Sequence, residues 1–240
     1  MQHGLDILVI CAHPDDAEIS VGGTLIRYVN EGFEVGVADL TMGELGTRGS
    51  GPLRLKEADR AANMIGLKVR ENLNLGDGTF QNDPQTRSKV IACIRKHKPR
   101  IVLTNAPGDR HPDHGRAAQL VGESCFFSGL TKIETELDGT KQNPWRPKAL
   151  YHFIQDYYIE PDFVMDIEQH WDKKVEVLKS YSSQFYNPDS NEPSTPISGD
   201  DFFEFLKSRS REMGRAAGFK LAEGFVAARR IGVKDFFDLH

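Results

Sequence analysis

The sequence predicts an α/β fold, one domain built on a largely parallel sheet with helices on both faces, and three features of the 240-residue chain carry that expectation. Short runs rich in Ile, Val and Leu alternate with longer segments whose apolar residues recur at helical spacing. Gly32 and Gly66 stand where two of those helices would stop. Clusters of Asp and His follow the apolar runs, on the rim where open α/β sheets gather ligands.

Residues 5–11 form a β-rich run, and residues 17–30 carry the apolar spacing of a helix. Residues 35–40 read as the second strand, 52–65 as a helix opened by Pro52, and 69–75 as the third strand. A helix over 87–97, a buried strand over 100–104 and a helix over 115–126 continue the alternation. Such order implies right-handed crossovers and parallel strands. Beyond residue 130, strands are expected over 150–154 and 163–167, and helices over 169–181 and 202–217. Residues 187–200, rich in Pro, Ser, Asn and Asp without apolar periodicity, are expected to be a surface connection, with a mobile lid as the alternative.

A chain of this length buries roughly 70–75% of its unfolded surface, so one core suffices. The net charge of −5 and the lack of a Lys/Arg run argue against nucleic acid as partner and favour a small molecule. Cys11, Cys93 and Cys125 are odd in number and form no CxxC pair, which fits reduced core cysteines. Residues 1–6 lack a basic signal region, and the apolar stretch 5–12 is too short to span a bilayer. A cytoplasmic protein without a membrane partner is therefore expected.

The chemistry concentrates in two motifs. His13-Pro14-Asp15-Asp16 follows the first strand, and His111-Pro112-Asp113-His114 follows the strand ending near Thr104. His13 and Asp16 can aim at one point across the proline loop, and one distant imidazole would complete a His, Asp, His set. Three N/O ligands with an open position describe a catalytic zinc site. Asp15 projects away from its neighbour and suits a base that accepts a proton from water, its other reading being a helix N-cap. Of His111 and His114, one can bind metal while the other donates a proton or meets an oxyanion; spacing does not choose between them. Asp113 can orient an imidazole. His3, His97, His152 and His170 lack such company and read as structural.

The stretch from Thr41 to Gly49 holds three glycines, Glu44 and Arg48, and fits neither nucleotide fingerprint, so a substrate loop is expected. Arg54 and Glu57 open the next helix, and Asp77 lies in a Gly-Asp-Gly turn on the same rim. Arg54 and Asp77 together could grip a hydroxylated ligand that carries negative charge. A non-enzymatic metal or sugar-binding module would gain nothing from the extra carboxylate and second imidazole. A nucleotide-dependent oxidoreductase would need glycines where His13 to Asp16 stand.

AHPDDAE after the first strand, Gly-Glu-x-Gly-Thr-Arg-Gly after the second, Arg54-x-x-Glu57 and HPDH together resemble the PIG-L/LmbE-like de-N-acetylases over residues 5 to about 127. The GTRG loop, the LGDG turn and the closing Ala222-Glu223-Gly224-Phe225 resemble the bacillithiol-biosynthesis branch of that family. The resemblance implies a Rossmann-like, three-layer α/β/α fold and zinc held by His13, Asp16 and His114. It implies Asp15 as general base and His111 assisting the oxyanion or the leaving amine. Fe2+ or Mn2+ would suit the same ligands. It further implies that Arg54, Asp77, Glu44 and Arg48 bind an N-acetylglucosamine conjugate, N-acetylglucosaminyl malate in that branch, with diacetylchitobiose as the competing substrate. An anionic malate would find a partner in Arg48, Arg54 or Arg110. Some relatives carry a tyrosine where Asp109 stands, so a tyrosine role would fall elsewhere, with Tyr186 the candidate. A homo-oligomer, hexameric by the same likeness, is expected.

Overall fold

A computed structural model describes residues 4–238, and His3 lies outside the described residues. Strands and helices alternate through the first half: β1 (Ile7–Cys11), α1 (Asp16–Asn30), β2 (Val35–Asp39), α2 (Gly51–Ile65), β3 (Val69–Asn72), α3 (Pro84–His97), β4 (Ile101–Thr104) and α4 (Pro112–Phe127). Then come a small hairpin, β5 (Glu136–Leu137) and β6 (Thr140–Lys141), followed by β7 (Ala149–Phe153) and β8 (Phe163–Asp166). A 3-10 turn at Glu168–His170 leads into α5 (Trp171–Leu178), and α6 (Phe202–Arg215) precedes β9 (Ala222–Ala227).

The main sheet has seven strands in the order β3-β2-β1-β4-β7-β9-β8. β3, β2, β1, β4 and β7 pair in parallel, and β9 runs antiparallel between β7 and β8. Alternation along β1 sorts the core: Ile7, Val9 and Cys11 pack with α1, α2 and α5, whereas Leu8 and Ile10 pack with α3 and α4. This is the expected three-layer arrangement. The chain leaves β1 towards β2 on one side and returns through β4 on the other, so the order reverses at the β1/β4 boundary. Ligands bind in the crevice that such a reversal opens at the carboxyl ends of the strands.

Four expectations shift. Helices α3 and α4 each begin three residues before the predicted starts, because Asp83 and His111 cap them and a proline follows each cap. The third strand ends at Asn72 rather than residue 75, since Asn74 turns to φ 47°. The helix expected over 169–181 splits into a 3-10 turn and the shorter α5. β9 is absent from the sequence-based expectation because Glu223 and Gly224 interrupt its apolar run. Inside the fold Glu223 is satisfied by Lys174 Nζ (2.7 Å), the N–H groups of Gly23 and Thr24 (2.9 and 2.8 Å) and Thr24 Oγ1 (2.6 Å). Among the described residues no helix is long and apolar enough to cross a membrane.

Candidate active site at the switch point of the sheet

The loop from β1 to α1 is short and strained. Asp15 sits at φ 99°, a left-handed conformation costly for any residue but glycine and sustained only where the surroundings enforce it. Arg54 on α2 supplies the enforcement. Its guanidinium donates to Asp15 Oδ2 (2.9 Å), to the Pro14 carbonyl and to the Gly43 carbonyl (3.2 Å). The Asp15 carboxylate therefore makes no capping hydrogen bond, although its backbone occupies the N-cap position. Burial pushes its pKa up to about 7, against the pull of the Arg54 charge.

Asp16 opens the helix and turns its carboxylate the other way. Oδ2 accepts from the His13 N–H (3.0 Å) and Asn105 Nδ2 (3.1 Å), and Oδ1 accepts from Gln155 Nε2 (2.8 Å). The same oxygens face two imidazoles: Oδ1 lies 3.2 Å from His114 Nε2, and Oδ2 lies 3.5 Å from His13 Nδ1. Burial opposes ionisation of Asp16, but His114 and His13 hold its pKa well below the usual carboxylate range.

Each of these imidazoles carries a carboxylate on its other nitrogen. Asp109 Oδ2 lies 2.7 Å from His114 Nδ1, and Asp77 Oδ1 and Asp113 Oδ2 lie 3.0 and 3.4 Å from His13 Nε2. Partners of this kind fix the tautomer and orientation of metal-binding histidines. Burial resists a positive charge on both rings, yet Asp16 and Asp109 raise His114 to about 9, and Asp113, Asp16 and Asp77 raise His13 well above its ordinary value. The carboxylates feel the reverse effect: burial opposes the charge of Asp77, but His13 draws its pKa down to about 2.

His111 differs from both. Its Nδ1 accepts from the Asp113 N–H (3.2 Å), so the neutral ring keeps its proton on Nε2. Burial lowers its pKa, and the charges of His13 and His114 push in the same direction. Its ring meets His13 edge-on at 4.6 Å.

The site suits a divalent cation. His13, His111 and His114 each offer a ring nitrogen within 4.8 Å of the others. The carboxylates of Asp15, Asp16, Asp77, Asp109 and Asp113 gather around them, faced by the guanidiniums of Arg54 and Arg116. Buried nitrogen and oxygen donors with excess negative charge match zinc, iron or manganese better than a soft monovalent ion. A cavity of about 220 Å³ opens onto the cluster, with His13, Asp15, Asp16, His111 and His114 in its wall.

The residues expected to meet substrate divide. Arg54 and Asp77 line the cavity, but Arg54 is engaged with Asp15 and Asp77 with His13 and the Leu45 N–H (2.9 Å). Glu44 and Arg48 lie outside the wall. Glu44 accepts from the Asp77 N–H (2.9 Å) and braces that turn, while buried Arg48 donates to Ser190 Oγ (2.7 Å). Glu192 completes this tie between the glycine loop and residues 187–200 by accepting from the Gly49 N–H (2.9 Å), and Ile197 of the same tract reaches the cavity wall. Tyr186 is exposed and does not line the cavity. Arg110 stands at the mouth, paired with Asp156.

Sequence reasoning misses Asn105, Asp109, Arg116 and Gln155 among the residues of the site. Asn105 was open to inference, because it directly follows β4 and is the first polar residue on that rim. Its side-chain oxygen accepts from the Ala12 N–H (2.9 Å) and joins the two motif-bearing loops. Gln155 carries no such signal, since its place depends on how the chain returns to the sheet through β7.

Fold and site together define an α/β protein with a buried His/Asp donor set at the switch point of its sheet. Residues 8–125 match the PIG-L family, described as GlcNAc-PI de-N-acetylase. The chain belongs to this family of deacetylases. It is 29% identical to a diacetylchitobiose deacetylase of Thermococcus kodakarensis, over 91% of this chain and 81% of that protein. A probable N-acetyl-alpha-D-glucosaminyl L-malate deacetylase 2 of Bacillus anthracis is 25% identical, over 77% and 84% of the two chains. The crystal structure of a conserved protein from Thermus thermophilus, TT1542, superposes with a TM-score of 0.85 at 32% identity, covering 97% of this chain and 98% of that one.

Proposed function

We propose that the protein hydrolyses the N-acetyl group of an N-acetylglucosamine conjugate in a metal-dependent reaction, with N-acetylglucosaminyl malate as its substrate. One observation carries the reading. His13 and His114, each backed by a carboxylate, turn to the two oxygens of Asp16, while Arg54 holds a separate carboxylate, Asp15, beside them. His13, Asp16 and His114 would hold the ion, and His111 is left free because its Nδ1 is committed to the backbone.

A divalent ion in that position would polarise the acetyl carbonyl and lower the pKa of water from about 16 towards 7. Asp15 accepts the proton of the attacking water, and Arg54 fixes the carboxylate in place for it. As the C–O bond forms, His111 presents its Nε2–H to the developing oxyanion. Loss of one such donor costs about 3 to 4 kcal/mol of transition-state stabilisation. Protonation of the amine from the acids of the site accompanies cleavage of the C–N bond, and acetate and the free amine leave. Asp77 and Asp113 orient His13, and Asp109 orients His114.

Arg110 supports an anionic aglycone, because it stands at the cavity mouth with its side chain 42% exposed, where a carboxylate could exchange with Asp156. Arg48 and Arg54 are already engaged. The similarity to the diacetylchitobiose deacetylase favours a second reading, a neutral disaccharide in the same cavity. Acetate release from N-acetylglucosaminyl malate, diacetylchitobiose and free N-acetylglucosamine separates them. The malate conjugate is expected to have the highest kcat/KM; a preference for diacetylchitobiose replaces the first reading by the second, and no release from any of the three contradicts both.

A further inference from the structure

A second group of metal-type donors lies outside the cavity. Cys93 and His97 are four residues apart on α3 and therefore share one face of the helix, and Cys93 packs in the core that Val69 of the edge strand β3 meets. Glu71 of β3 points back at them. Cys93 Sγ donates to Glu71 Oε1 (3.0 Å), and His97 Nε2 lies 2.9 Å from that same oxygen. Sulfur, nitrogen and oxygen thus converge, one atom from each residue, all within 4.8 Å of one another.

Tetrahedral zinc with bonds of about 2.0 to 2.3 Å places its ligand atoms roughly 3.4 to 3.6 Å apart, so small side-chain rotations convert this cluster into three corners of the tetrahedron. Glu71 is partly exposed, which leaves the fourth corner within reach of water. The Lys96 ammonium now pairs with Glu71, but Lys96 is exposed on a flexible stem and can turn to solvent. None of the three donors lines the catalytic cavity.

We propose that Glu71, Cys93 and His97 form a second, non-catalytic site for a borderline-soft divalent cation of the zinc type, clamping α3 to the sheet edge. A thiolate among the ligands distinguishes it from the His/Asp set at the switch point and selects against Mg2+ and Ca2+. Binding releases the Cys93 proton to solvent as the metal–sulfur bond forms, so affinity falls as pH falls. Burial and the adjacent Glu71 charge raise the thiol pKa, so the proton leaves as the metal binds.

Cobalt(II) titration of the full chain tests this without reference to catalysis. A near-ultraviolet thiolate-to-cobalt charge-transfer band is expected in the parent protein and in His13→Ala, and it should disappear in Cys93→Ser. Glu71→Gln should keep the band but need at least about tenfold more cobalt to reach half its intensity, as expected when an anionic ligand is lost, which supports the site even if Cys93→Ser fails to fold. Absence of the band in the parent protein at saturating cobalt overturns the proposal. So does a band that persists unchanged in Cys93→Ser, since it would then belong to Cys11 or Cys125.

Discussion

Among the clusters of buried charge that touch α1, the one at Glu223 and the one at the switch point differ in how completely the charge is met. At Glu223 one carboxylate faces one ammonium, and Lys174, two backbone N–H groups and a hydroxyl satisfy its oxygens. At the switch point five carboxylates crowd three imidazoles and two guanidiniums, and the group opens onto a cavity. Saturated charge of the first kind holds elements together. Unsaturated charge of the second kind is held in place by the fold for a ligand, and its removal should alter chemistry more than stability.

Substitutions can break that division. The largest effect is expected for His114→Ala, which should lose the bound ion and reduce acetate release to background while thermal unfolding stays close to that of the metal-free parent. Metal analysis beside a melting curve checks it; full turnover would remove His114 from the ligand set. Arg70→Met should act on stability instead, through a third buried cluster that α1 touches at Glu18. Arg70 pairs with Glu18 and forks onto Asp39 (2.8 and 2.9 Å), so its loss strands two buried carboxylates and should cost about 3 to 5 kcal/mol in denaturant unfolding, with activity per folded molecule retained.

Lys174→Met should cost less, about 1.5 to 3 kcal/mol, because Glu223 keeps its three neutral donors. A change in kcat beyond twofold there would blur the two clusters into one. Arg54→Gln sharpens the comparison through pH. Asp15 must be ionised to accept a proton, so activity rises with pH through its pKa, and the Arg54 charge keeps that pKa down against the push of burial. Removing the charge should move the acid limb of kcat to higher pH. A bound cation lowers the limb in both proteins and leaves the direction of the shift unchanged. An unmoved limb would contradict the coupling.

The two halves of the chain are not equally legible in the sequence. In the first half, each motif sits within four residues in the loop that follows β1 or β4, strands whose side chains alternate between two cores, so local pattern and site position agree. Apolar spacing alone does not reveal Pro84 and Pro112 as first helical residues, and it places two helix starts three positions late. Beyond residue 130 the pattern weakens because the partners are remote in sequence. Glu223 makes β9 look polar until Lys174 and α1 are in place. The same remoteness redirects Arg48, which reads as a substrate contact in its glycine loop but reaches Ser190 instead.

In the proposed mechanism one motif divides two jobs, His13 and Asp16 holding a cation and Asp15 between them moving a proton. Asp15→Asn, assayed for metal content and acetate release on the same preparation, tests it most directly. One divalent ion per chain should remain while turnover of the N-acetyl sugar falls by about 10²- to 10⁴-fold, the range for loss of a general base. Turnover at the parent rate, or loss of the ion along with activity, would contradict that division.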